Sequence, residues 1–209
     1  AWSAAAYLTG IYLQTVLGLP VLTAALLALP GAAVLTTVCI TTPRIAERIG
    51  KRGALALCYF AMAAGLALLT ATTISGGIGW YIASTVIAGV GYGISFALVA
   101  DTAVAAVPAN RAGAAAAIAE TSNEIGNALG IALLGSVAAL VFRVLGPEVA
   151  PTLDETLELA GTAGVVTQAK SAFLTGLHAA MAIGAVLCAG MGVLTLRWIP
   201  RNRRTVAAD

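Results

Sequence analysis

The chain has 209 residues, of which 60% are hydrophobic and only 10% charged, whereas an ordinary soluble domain carries roughly 25% charged residues. That balance, with a mean hydropathy of +0.96, excludes a soluble domain, and a formal net charge of +2 is too small to hold a nucleic acid. Cys39, Cys58 and Cys188 are odd in number, far apart and inside apolar runs, so they suit packing rather than a disulfide framework or a metal site.

Long apolar runs almost free of charge are the signature of membrane helices. The expected fold is all-α: a polytopic membrane protein whose residues 1–209 form one bundle of six transmembrane helices. The chain starts with Ala1 rather than Met, and Trp2 to Gly18 is already apolar, without a basic leader or a small-residue cleavage site. It therefore reads as a helix inside a piece of a larger protein and not as a signal peptide.

The first span runs to about Gly18, with Gln14 and Thr15 near its far end, and Leu19-Pro20 turns the chain. The second, from about Thr23 to Thr42, is closed by Pro43, which cannot continue a helix. Arg44-Ile-Ala-Glu47-Arg48-Ile-Gly50-Lys51-Arg52-Gly53 is a short, strongly basic loop. Ala54 to Ile74 is the third span, and Trp80 and Tyr81, after the turn Ser75–Gly79, sit where interfacial aromatics belong. The fourth span reaches Asp101 and is followed by a linker around Pro108. Asn110 is the expected N-cap of the fifth helix, Ala112 to Phe142.

Residues 145–170 are the one extended polar segment, either an extracellular loop or a small helical hairpin. Thr152-Leu-Asp-Glu155 reads as a capping box that opens a short helix, which Gly161 could end. The sixth span, about Ala172 to Leu196, leads to Arg197 and the tail with Arg201, Arg203 and Arg204. Two connections, Pro43–Gly53 and Ala103–Arg111, share one side of the membrane with that tail. With Arg197 and the tail they carry all the basic residues except Arg143 and Lys170, so the positive-inside rule puts both ends in the cytoplasm.

Within the fifth helix stand Glu120-Thr-Ser-Asn123-Glu124-Ile-Gly-Asn127. From Arg111, helix rise places Glu120 about 13 Å and Glu124 about 20 Å into a hydrocarbon layer of roughly 30 Å. Asn127 continues the same face. An ionisable side chain at that depth marks function by default, so a protein cavity, not lipid, is expected beside it. Two carboxylates one helical turn apart could exchange a proton for an arriving cation, which is antiport chemistry. The structural alternative is a hydrogen bond to a neighbouring helix.

Asn123, Tyr92, Phe96 and Gln14 are candidate cavity residues, the two rings being suited to a lipophilic cation. Asp101 is expected at the interface, either gating, together with the loop residues Glu47, Arg48 and Arg52, or pairing with Arg111 or the arginines of the basic loop. Gly89-Val-Gly91-Tyr-Gly93 lies inside a span and follows no strand, so it is not a nucleotide loop. Gly89/Gly93 and Gly126/Gly130 more simply allow close helix packing.

The basic loop resembles the loop signature of the major facilitator superfamily. Ala100-Asp101-Thr102, Val107-Pro108, Arg111-Ala-Gly113 and Glu120-Thr-Ser-Asn-Glu124-Ile-Gly-Asn127 resemble its fourteen-helix drug:proton antiporters of the QacA and LfrA type. The resemblance implies a carboxyl-terminal six-helix half of such a transporter in a bacterial inner membrane, with the amino-terminal half absent. It implies proton-driven multidrug efflux of lipophilic cations, among them quaternary ammonium compounds and dyes, hence antibiotic resistance. It also implies that Glu120 and Glu124 are the membrane acids and that no cofactor is needed.

Two other readings compete. A rhomboid-like intramembrane serine protease would use Ser95 and His178, which occupy the fourth and sixth spans, but helix rise sets them about 24 Å and 10 Å from the outer face, and Glu120 and Glu124 are left unexplained. A non-transporting membrane interaction subunit would be indifferent to neutralising the acids.

Overall fold

The computed structural model describes residues 1–105 and 107–198, with the backbone alone at 99–101, 103 and 104. The described residues are helical nearly throughout. Helix α1 (Trp2–Ile11) passes into a wider π turn (Tyr12–Val16). Helix α2 (Val21–Leu68) is the longest, and α3 (Ile78–Ala105), α4 (Ala112–Leu145), the short α5 (Leu153–Leu159) and α6 (Ala163–Trp198) follow. Four of these helices are long and apolar enough to cross a membrane.

The expected second and third spans are both arms of α2. At Gly50 the backbone turns to φ 77° and ψ 158°, a conformation that a residue without Cβ reaches at little cost. Pro43 does not close the helix as expected; α2 runs through both Pro30 and Pro43. In an apolar setting nothing outside the helix competes for its carbonyls, and side-chain hydroxyls can re-satisfy them. Thr41 and Thr42 both donate to the Val38 carbonyl, at 3.2 Å and 2.7 Å, one position before the Cys39 carbonyl that Pro43 leaves without its helical donor. The break falls at the glycine, and Arg44 to Ile49 are helical rather than loop.

Close contacts fix the directions of the arms. A Cβ on Gly89 would stand 2.8 Å from the Gly31 carbonyl oxygen, and one on Gly93 would stand 2.6 Å from that of Leu35. Numbers rise together, so the first arm and α3 run parallel. A Cβ on Gly65 would stand 2.6 Å from that of Ala88, and one on Gly91 would stand 2.5 Å from the Cys58 carbonyl oxygen. Here they run in opposition. The arms are therefore antiparallel, and α2 is a hairpin with α3 seated against both legs. Lipid competes with apolar side chains as an equal solvent, so such close backbone approach, not hydrophobic burial, holds membrane helices together. The expectation holds for Gly89/Gly93 but not for Gly126/Gly130: a Cβ on Gly126 would meet nothing within 4 Å, and one on Gly130 only the Ala1 nitrogen at 3.1 Å.

Helix α6 lies antiparallel to the second arm of α2. His178 meets Thr72 at 3.1 Å near one end, and Arg52 donates to the Leu196 carbonyl at the other. A cation on the last carbonyls of a helix also meets the negative end of its dipole. On its other side α6 packs against α4, where a Cβ on Gly176 would stand 2.6 Å from the Ala138 carbonyl oxygen. The larger core gathers Leu8, Tyr12, Leu13, Leu66, Leu177 and Met181; a smaller one, nearer Gly50, holds Ala54, Cys58, Ile94 and Leu98. All three cysteines are free thiols.

Tyr12 is fully buried in the π turn, and its hydroxyl lies 2.8 Å from the Thr73 carbonyl and 2.6 Å from that of Gly76. It fastens α1 to the turn between α2 and α3. Tyr12→Phe is expected to lower unfolding stability by about 1 kcal/mol, because the hydrogen bond that ties α1 to this turn is lost. Thermal unfolding in detergent reads this as a lower Tm, and an unchanged Tm would show the fastening to be idle.

The polar segment departs from expectation in detail. It contains one short helix, α5, and α6 already begins at Ala163, ahead of the expected Ala172. Thr152 caps α5 without a side-chain hydrogen bond, so the capping box is not formed. Thr156 turns its hydroxyl back to the Thr152 carbonyl instead, at 2.6 Å.

Candidate functional site

Helix α4 is rich in alanine, the strongest helix former, and its 34 residues extend about 50 Å. It follows a tight turn over Ala109–Arg111, with Pro108 before the turn and Arg111 as the cap of α4. Asn110 therefore lies inside that turn and is not the expected N-cap. Only the far half of α4 is clamped: Leu134, Ala138 and Phe142 are its buried residues, on the side that meets α6. The near half packs more loosely, with Ala112, Ala115, Ala119, Asn123 and Asn127 half-buried along one side.

Glu120 and Glu124 are both exposed on that near half, while Asn123 and Asn127 are half-buried. The reason is angular. Ala119, Asn123, Asn127, Gly130, Leu134 and Ala138 form one stripe at spacings of three and four, turned toward the bundle. Each glutamate follows a stripe residue by one position, about 100° further around. Asn127 is drawn in by α1: the Ser3 hydroxyl donates to its Oδ1 at 2.7 Å. The expectation of a protein cavity around the acids is thus not met within this chain. They flank a stripe of contact, on a face that the described residues leave open.

Trp2, the neighbour of Ser3 on α1, stacks on Tyr92 with ring centroids 5.7 Å apart, and Tyr92 stacks on Phe96 at 6.4 Å. Tyr92 is half-buried and Phe96 is 54% exposed. Gln14 does not join them; its amide returns to the Gly10 carbonyl of its own helix at 3.3 Å. Trp2 and Ser3 escaped the sequence reading. Ser3 and Asn127 lie 124 positions apart, and no local pattern announces such a pair. A tryptophan and a serine heading an apolar span were the only signal.

Of the residues expected at the cytoplasmic loop, Arg52 reaches Leu196 of α6, and Glu47, Arg48 and Arg111 are exposed. Asp101 is described in its backbone only, and Arg201, Arg203 and Arg204 lie outside the described residues. Ser95 and His178 do not form a catalytic pair. Ser95 lies beside Cys58 and His178 contacts Thr72, and those partners are fourteen residues apart along the second arm of α2 and the turn that ends it, about 20 Å by helix rise. A nucleophile and its base must stand about 3 Å apart, so the protease reading fails on geometry. No group of three or more metal-binding side chains occurs among the described residues.

Residues 1–131 match the family model of the Major Facilitator Superfamily. The matched stretch takes in α1, α2, α3 and the half of α4 that carries the acids. The chain is also similar to the multidrug efflux pump LfrA of Mycolicibacterium smegmatis, 32% identical over 132 residues, which is 63% of this chain and 26% of that pump. The chain thus aligns with about a quarter of that relative's length.

Proposed function

Because the chain belongs to the major facilitator superfamily, a family of transporters and not of enzymes, we propose that it is the carboxyl-terminal half of a proton-coupled multidrug antiporter. It serves the export of lipophilic organic cations, including quaternary ammonium compounds and dyes, in exchange for protons. The observation that carries this reading is the pair Glu120 and Glu124, exposed on the uncovered half of α4 within an otherwise apolar helix.

An ionised carboxylate near the bilayer centre costs about 2.5–3.5 kcal/mol on insertion scales. It persists there only when covered, hydrated or neutralised. Transporter sites form near the midplane between structural repeats, so the amino-terminal half of the same transporter covers this face and leaves a wet cavity. Two carboxylates about 6 Å apart on one helix side hold an organic cation while ionised. Protons entering from outside neutralise them and release it. Cation and proton compete for the same oxygens, and that competition is the coupling.

Charge supports the orientation. The Arg52–Leu196 contact brings the basic bend of α2 beside Arg197 at the end of α6. Arg44, Arg48 and Lys51 sit at that bend, whereas Arg143 and Lys170 stand at the opposite ends of α4 and α6. The positive-inside rule puts the bend and the far end of α6 on the cytoplasmic side of a bacterial membrane and the segment around α5 outside, whereas Ala1, beside Gly130 midway along α4, lies at membrane depth.

The test is efflux of a fluorescent cation from vesicles that contain the full-length protein. An inward proton gradient is expected to drive export, and a protonophore to stop it. Export indifferent to the gradient would overturn the proposal. An interaction subunit would give no export at all.

A further inference from the structure

We propose that Trp2, Tyr92 and Phe96 form a stacking track that selects flat aromatic cations, with Trp2 as the ring that sets shape selectivity. This inference rests on the cation-transport reading above and adds which part of the substrate each group reads.

Three observations meet here. The rings of Trp2 and Tyr92 lie 5.7 Å apart at 28°, and those of Tyr92 and Phe96 lie 6.4 Å apart at 30°, both within the offset-stacking range. None of the three is buried, and Phe96 is 54% exposed, so ring faces remain for a ligand. Ser3, next to Trp2, holds Asn127 of α4 at 2.7 Å. The first turn of α1 thus joins the ring row of α3 to the polar row of α4.

The two rows then run together. The chain of packed pairs makes α3 and α4 antiparallel, so Phe96 lies one turn beyond Tyr92 in the same direction as Glu124 lies beyond Asn127. Glu120 continues one turn further. Ring faces attract cations through their quadrupole, and a flat ring system offers them its whole face. A compact tetraalkylammonium has no flat face and engages chiefly the carboxylates. Charge is read by α4 and shape by Trp2, Tyr92 and Phe96.

The experiment uses the full-length transporter with Trp2→Leu and Trp2→Phe. Ethidium serves as the flat probe and tetrapropylammonium as the compact one. Trp2→Leu is expected to raise the ethidium Kd, measured by anisotropy in detergent, and the ethidium KM for efflux roughly tenfold. Proton release driven by tetrapropylammonium stays unchanged, and Trp2→Phe keeps most of the ethidium affinity. The proposal is overturned if both probes weaken in parallel, since Trp2 would then only support the fold, or if ethidium is unaffected. Coupled efflux that ignores Trp2 removes the track and leaves the antiporter standing. Ethidium binding that depends on Trp2 without proton-coupled efflux does the reverse.

Discussion

Replacing Glu124 with Gln in the full-length transporter is expected to leave folding intact and to cut proton-coupled efflux by roughly two orders of magnitude, the scale typical of losing a proton-transferring side chain. The amide matches the carboxylate in shape, and Glu124 is exposed and part of no core, so a folding defect would be out of character. Substrate-induced proton release should vanish along with efflux. Glu120→Gln is expected to weaken transport less, because Glu120 lies a further turn from Asn127, the residue that Ser3 fixes. Efflux and proton release are both read from vesicles. Parental rates in both variants would make the acids structural and put the coupling group elsewhere in the transporter.

The second large effect is on assembly. Gly91→Val is expected to destabilise the bundle by about 3 kcal/mol or more, at or above the usual range for overpacking. Its first added carbon would stand 2.5 Å from the Cys58 carbonyl oxygen, 2.6 Å from the Met62 side chain and 3.0 Å from the Met62 nitrogen. Backbone atoms cannot step aside as a flexible side-chain tip can, so the second arm of α2 and α3 must separate. Gly190→Ala on α6 is the control, since its Cβ would meet nothing within 4 Å. Denaturant unfolding in detergent should show a large loss for the first variant and none for the second. Equal behaviour of the two would show that α3 is not held by this contact.

The class of the fold was legible in composition and run length, because a chain this apolar has few alternatives. Boundaries were less so. Pro43 is a strong signal in water, yet α2 passes through it and bends at Gly50, where a positive φ was needed. Glu120 and Glu124 were legible as unusual because charge is rare in an apolar run. Their surroundings were not, since a period of three to four tells which residues share a side but not which side meets a partner. The track from Trp2 to Phe96 depends on contacts between remote segments, and those exist only once the helices are assembled.

Helix α4 is clamped through Leu134, Ala138 and Phe142, while the half bearing Glu120 and Glu124 has no fully buried residue. Close packing and the acidic pair are thereby assigned to different lengths of one helix. Substitution on the near half therefore costs this bundle less stability than substitution on the far half.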